Sequence, residues 1–154
     1  MSERYDSTND TLDHISRVQD LLNRCIRELS RRSVEHDLVK LSDEEKPYFD
    51  QYTPLLRESK YGSKEYFENL ELLRPALDHH YEHCSHHPEH YCDGIKGMNL
   101  FDLMEMFCDW QASLQRSPGG SIERSIELGQ DRFGYSDELK QIFLNSIETM
   151  KDKR

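Results

Sequence analysis

The sequence predicts an all-α protein, a single-domain bundle of about six to seven helices. Three observations support that fold class. Apolar residues recur every three or four positions in one stretch after another. Residues that cap or stop helices (Ser, Asn, Asp, Pro and Gly) stand between those stretches. The 154 residues suit one domain and are enough to bury one core.

Residues 1–9 are polar and are expected to stay frayed, which leaves 10–150 as the helical domain. Asn9 or Asp10 caps the first helix. Its apolar positions are Leu12, Ile15, Val18, Leu21, Leu22, Cys25, Ile26 and Leu29. His14 shares one edge of that stripe with Val18, Leu21 and Cys25, so it is expected to face inward. A hydrogen-bonded core histidine and a metal ligand both remain open for it. The stretch HDLVK follows, with His36 and Asp37 adjacent and Lys40 three residues after Asp37, close to it on a helix. Adjacent His and Asp can reach one metal when a turn presents both to a cavity.

Ser42-Asp43-Glu44-Glu45 reads as a capping box, with Ser42 as cap and Glu45 three residues on. The helix behind it runs to about Arg57, distorted near Pro47 and Pro54. Tyr61-Gly62-Ser63 is a break, and Ser63 caps the next helix. There Tyr66, Phe67, Leu70, Leu73, Ala76, Leu77, His80, Tyr81 and Cys84 recur at helical spacing, with a kink or a new start at Pro75.

Residues 76–92, ALDHHYEHCSHHPEHYC, hold six of the eight histidines: His79, His80, His83, His86, His87 and His90. Neutral imidazole is the commonest protein ligand for transition metals. A solvated polar turn is the plainer reading, but it explains so dense a cluster poorly. His79 and His83, four residues apart, form a chelating pair on a helix, while His80 lies on the apolar edge and points inward. Pro88 ends regular helix by His87.

Met98–Arg116 is the most apolar helix, and it carries one polar stripe of Asp102, Glu105, Asp109 and Arg116. A carboxylate on a buried helix must be paired or must hold a metal. Asp109 is the candidate ligand. Glu105 is a candidate ligand, a general base or a group that holds a ligand in place, and Asp102 is equally suited to an ion pair. Ser117-Pro118-Gly119-Gly120 is a turn. Ser121–Phe133 and a last helix from Ser136 read as scaffold.

Composition narrows the function classes. A net charge of −10 disfavours a groove for long nucleic acid, which needs a basic footprint. It leaves room for a small phosphorylated substrate, because bound cations dominate the local field. No apolar run approaches the roughly 20 residues that span a bilayer. MSERYDSTND has no apolar signal core, so a cytoplasmic protein without a membrane partner is expected. Cys25, Cys84, Cys92 and Cys108 form no CxxC pair and are expected to be free thiols.

The order His14, His36-Asp37 and Asp109 resembles the HD-domain superfamily of metal-dependent phosphohydrolases. HDLVK is similar to the HDxxK form common there. The resemblance implies an HD-domain-like bundle in which His14, His36, Asp37 and Asp109 hold a divalent metal, with His80 and His86 or His87 matching the extra histidines of two-metal members. More closely, residues 10–148 resemble an uncharacterised family of bacteria and phages, a domain of unknown function, through DHISRV, HDLVKLSDEE, HHPEHY and EMFCDW, with Arg116 and FGYSDELKQIFLNSI beyond. Relatives often carry Asn where this chain has Cys84.

What the resemblance implies is hydrolysis of a small phosphoester, best a nucleotide, by a metal-activated water. Asp37 bridges the ions, Lys40 and Arg116 neutralise phosphoryl charge, and Glu105 assists. One or two divalent ions are expected. Mixed His and carboxylate ligands suit Mn, Fe, Co, Ni or Zn better than Mg. The sequence is compatible with a homo-oligomer. The alternatives are a non-catalytic zinc-binding module built on Cys84, His86 or His87, His90 and Cys92, and a module that binds a nucleotide without cleaving it. An iron oxidase ranks behind these, since Glu82 and Glu89 lack a His three residues on.

Overall fold

The capping and spacing signals become six α-helices among the described residues. The computed structural model describes residues 5–60, 63–114 and 120–151. Helix α1 spans Thr8–Glu35, α2 Lys46–Glu58, α3 Lys64–His83, α4 Leu100–Leu114, α5 Ile122–Phe133 and α6 Asp137–Met150. Short 3-10 turns occupy Leu38–Leu41, Pro88–His90 and Gly94–Gly97, and the described residues include no strand. The protein is therefore all-α. No described helix is long and apolar enough to cross a membrane. The chain divides into two compact units, Met1–His36 and Asp37–Arg154.

The first unit is α1. Asp10 in its first turn and Arg32 in its last complement the helix dipole. Glu28 accepts hydrogen bonds from Arg31 at 2.7 Å and Arg32 at 2.8 Å, and these two guanidinium groups hold its carboxyl down at about 2. Arg31 also reaches Glu35. No residue of α1 is buried. His14 is exposed, and so are Leu12, Ile15, Leu22 and Ile26, so the inward-facing edge expected for His14 is not realised. Helical spacing defines a stripe; it does not say what covers it. At His36 the backbone leaves the helical region (φ −48°, ψ 124°).

The second unit opens at Asp37, whose φ of 58° is the only positive value of a non-glycine residue among those described. Asp and Asn tolerate this left-handed conformation best of the non-glycine residues, and such positions gather at functional sites. Ser42 Oγ then accepts the Glu45 N–H at 3.4 Å, and α2 begins at Lys46 with Pro47 in its first turn, where no N–H is needed. Helix α3 starts from Ser63, whose Oγ accepts the Tyr66 N–H at 3.1 Å. It continues through Pro75 and ends at His83. His83 and His87 therefore do not share a helix. Tyr61, Gly62, Arg116 and the Ser117–Gly119 part of the expected turn lie outside the described residues.

Ser121 and Ser136 cap α5 and α6 through their hydroxyls, accepting from Arg124 N at 3.1 Å and Leu139 N at 3.3 Å. Gly134, at φ 65°, closes α5 by donating its N–H to the Gln130 carbonyl at 2.8 Å. Helices α2 and α3 pack along each other, and α5 packs on α4 and α6. Met106, Phe107, Ile126, Tyr135, Phe143 and Ile147 form the buried core between α4, α5 and α6. Phe107 stacks on Phe143 at 5.4 Å, and Tyr135 meets the same ring edge-on at 5.6 Å. Each large apolar side chain fully buried here contributes roughly 2–3 kcal/mol.

Gly129 sits under Trp110. A Cβ there would lie 2.7 Å from Trp110 Cη2 and 3.1 Å from the Tyr135 hydroxyl. Gly129→Ala must push the indole out of the core, so it should lower stability by about 1–3 kcal/mol, although alanine is the better helix former. A urea melt checks this. A gain in stability would mean that the indole is not held against α5.

Candidate metal centre

Four elements of the second unit bring the chemistry together. The turn at Asp37 supplies one carboxylate. Helix α3 supplies His80, which is 1% exposed. The segment between α3 and the Pro88–His90 turn supplies His86, buried, and His87, half-buried. Helix α4 supplies Glu105 and Asp109, both half-buried.

Side-chain atoms of Asp37, His80, His86 and His87, one from each, all lie within 4.8 Å of one another. Asp37 Oδ1 is 3.1 Å from His80 Nε2 and 3.5 Å from His86 Nε2. His80 Nε2 is also 3.1 Å from His87 Nε2. A carboxylate oxygen of Asp109 comes within 4.8 Å of one of Asp37.

The far side of each deeply buried imidazole is already committed. His80 donates its Nδ1–H to Glu45 Oε2 at 3.0 Å, and His86 presents Nδ1 to Glu105 Oε1 at 3.1 Å. A carboxylate behind a ligating imidazole fixes its tautomer and ring direction. Both Nε2 atoms are thereby turned toward Asp37. With its proton on Nδ1, a neutral His80 turns the bare Nε2 lone pair toward two further acceptors, Asp37 Oδ1 and His87 Nε2. A cation among the four groups would satisfy all of them at once. The donor set, three imidazoles and a carboxylate, fits a transition metal better than magnesium.

Glu45 is the residue that sequence reasoning placed wrongly. Its capping-box spacing pointed its side chain back at Ser42. In the structure it is 0% exposed and accepts from two neighbouring histidines, His79 at 2.8 Å and His80 at 3.0 Å. Ser42 still caps the Glu45 N–H, so the spacing signal is partly realised. The available hint was a carboxylate at the start of a helix that must pack against a histidine-rich neighbour.

Asp102 joins no ligand cluster among the described residues. It is 0% exposed and accepts from Ser85 Oγ at 2.7 Å, Tyr91 OH at 2.8 Å and Asn99 N at 2.9 Å. Asn99 Oδ1 in turn accepts from Phe101 N at 2.8 Å and Asp102 N at 3.2 Å. This is a reciprocal cap for α4. It also ties down the residue before His86 and the residue after His90.

Lys40 donates to Asp37 Oδ2 at 2.5 Å and lies 5.5 Å from the centre of the Phe49 ring. Burial pushes the Asp37 carboxyl up, but the imidazoles of His80 and His86 and the Lys40 ammonium at its oxygens outweigh it and hold the group well below the usual carboxylate range. Glu105 stands behind His86. His79 stacks on His83 at 4.2 Å, and His83 donates to the His79 carbonyl, so that pair forms no chelate. His90 is exposed and bonded to the Tyr81 carbonyl, and Cys92 is exposed. No ligand cluster among the described residues includes Cys84, His90 or Cys92. Burial, with Asp37 and Glu45 nearby, pushes the Cys84 thiol up to about 12. His14 and His36 belong to the first unit, His14 exposed and His36 half-buried at the end of α1, and Arg116 lies outside the described residues.

Burial, with His86 and His80 adjacent, pushes His87 from 6.5 down to about 3. Between those values the unfolded chain carries a proton on His87 that the folded chain refuses, so acid favours unfolding. Asp37 acts in the same sense lower down, since its depressed carboxyl stabilises the fold above the unfolded value of 3.8 and that stability is lost as pH falls further. The metal-free protein should therefore become easier to unfold from about pH 6.5 downward. Urea midpoints measured across this range should fall, and His87→Gln should flatten the upper part of the fall. A flat profile for the parent protein would contradict this account of His87.

The class of protein is thus an all-helical chain with a buried histidine and carboxylate cluster. Residues 3–152 match the model of a protein family described as a family of unknown function, DUF5662, and the chain belongs to that family. No curated protein and no solved structure gives a significant match.

Proposed function

We propose that this protein is a metal-dependent phosphohydrolase acting on a small phosphoester, best a nucleotide. One observation carries the reading: His80 and His86, each backed by a buried or half-buried carboxylate, turn Nε2 toward Asp37 Oδ1 with His87 Nε2 alongside. Asp37, His80, His86, His87 and Asp109 would hold one or two divalent ions. A bound ion supplies an acidified water as nucleophile and a Lewis acid for phosphoryl oxygens. The chain's own residues do the rest. Glu45 and Glu105 keep the imidazoles aimed. Lys40, bonded to Asp37, would meet a phosphoryl oxygen. The order of His and Asp residues, similar to the HD-domain superfamily, supports the substrate class.

The test is a screen of nucleotides and other phosphoesters for phosphate release with Mn, Co, Ni or Zn, on wild type and on Asp109→Ala. Release that needs metal, and that falls at least about 100-fold in the variant, is the expected result. Metal binding with nucleotide affinity but no turnover would replace the enzyme with a binding module. Metal binding with neither would end the phosphoester reading.

A further inference from the structure

We infer that α1 is a self-association helix, through which two copies of this chain pair antiparallel. The inference goes beyond the metal-centre reading and does not depend on it. Leu12, Ile15, Leu22 and Ile26 are 57%, 45%, 57% and 59% exposed. With Gln19 and Leu29 they follow the alternating three- and four-residue spacing of a two-stranded coiled-coil seam. The seam is symmetric about the middle of the helix. In an antiparallel pair Leu12 meets Leu29 of the partner subunit, Ile15 meets Ile26 of the partner subunit, and Gln19 meets Leu22 of the partner subunit. Apolar residues thus face apolar residues in the outer layers, and a single amide sits near the centre of each strand to set the register.

Charge selects the second copy and its direction. Residues 6–20 carry four aspartates against Arg17 alone, and residues 24–35 carry four arginines against Glu28 and Glu35. A parallel pair would stack like on like, whereas an antiparallel pair lays the acidic half on the basic half. The same polarity compensates the helix dipole. That accounts for the order of the charges, but not for a row of exposed aliphatic residues beside them. His14 lies off the seam, and Val18 faces Cys25 of the partner subunit on its flank.

The test uses the full chain. Sedimentation equilibrium should show a dimer at micromolar concentration, and Ile26→Asp should weaken it at least about 100-fold. Because Ile26 is exposed, aspartate there opens no cavity. Independently, Val18→Cys treated with a short bis-maleimide should link to Cys25 of the partner subunit on peptide mapping. A monomer at ~100 μM, a dimer indifferent to Ile26→Asp, or linkage of Cys25 to its own counterpart would each overturn the inference.

Discussion

Protein purified without a histidine tag will carry transition metal, and Asp37→Ala will remove it. Asp37 Oδ1 is the atom on which the imidazoles of His80 and His86 converge. Without it the remaining nitrogens have no negative partner among the four clustered groups. Elemental analysis should find close to stoichiometric metal in the parent protein and little in the variant. Glu45→Gln should act more mildly. Its amide keeps the shape but offers one acceptor where the carboxylate offers two, so one of the two imidazoles on it loses its acceptor. Loss of such a support costs roughly 10–100-fold in metal affinity. Added metal at 100 times its dissociation constant stabilises a folded protein by about 2.7 kcal/mol. For a chain of this size that raises Tm by roughly 5–10 °C. Metal retained in Asp37→Ala but lost on Cys92→Ala would move the site to the cysteine-flanked end of the segment and exclude the cluster described above.

Asp102→Ala will lower stability by about 3–5 kcal/mol, the largest effect of any substitution outside the cluster. Its carboxylate accepts from three donors on two segments, Ser85 and Tyr91 on the connection and Asn99 at the start of α4. Truncation leaves those donors in a space that is 0% exposed at Asp102. An unpartnered buried polar group costs roughly 1–3 kcal/mol, and water entering the cavity recovers part of that. Tyr91→Phe removes the hydroxyl's bond to Asp102 and should cost about 1 kcal/mol. Denaturant unfolding with both variants measures the difference. An Asp102→Ala loss below about 1 kcal/mol would mean that the connection is held by something else. Metal affinity should fall in the same variant, because Ser85 immediately precedes His86.

These two residues show where sequence reasoning stops. Asp102 and Glu45 are both fully buried carboxylates; the spacing of Glu45 marks it as a capping residue, while Asp102 reads only as part of the polar stripe of its helix. For Asp102 the cap is real, with Asn99 as its reciprocal partner. For Glu45 only the backbone half of the cap forms, because two histidines across the α2 and α3 interface take the side chain. Capping is decided within four residues of chain. A carboxylate's choice between its own backbone and a distant imidazole is decided by which one burial leaves without water.

The all-α class and the positions of the described helices were legible in the chain. Helical spacing, Ser caps at Ser63, Ser121 and Ser136, and a stop at Gly134 are local signals that tertiary packing did not override. The histidine-rich stretch was legible as a candidate cluster, since six imidazoles stand within twelve residues. Which of those histidines come together was not legible. His79 and His80 are adjacent, yet the first stacks on His83 and the second is buried facing Asp37. His86 and His87 both join the cluster because α3 ends at His83, and the chain then turns in a way no periodicity describes. The stripe on α1 was read correctly as a stripe, but its exposure was not foreseen. Spacing along a helix is a property of one segment. Burial and the convergence of four side chains on one point belong to several segments at once, so only the tertiary structure could decide them.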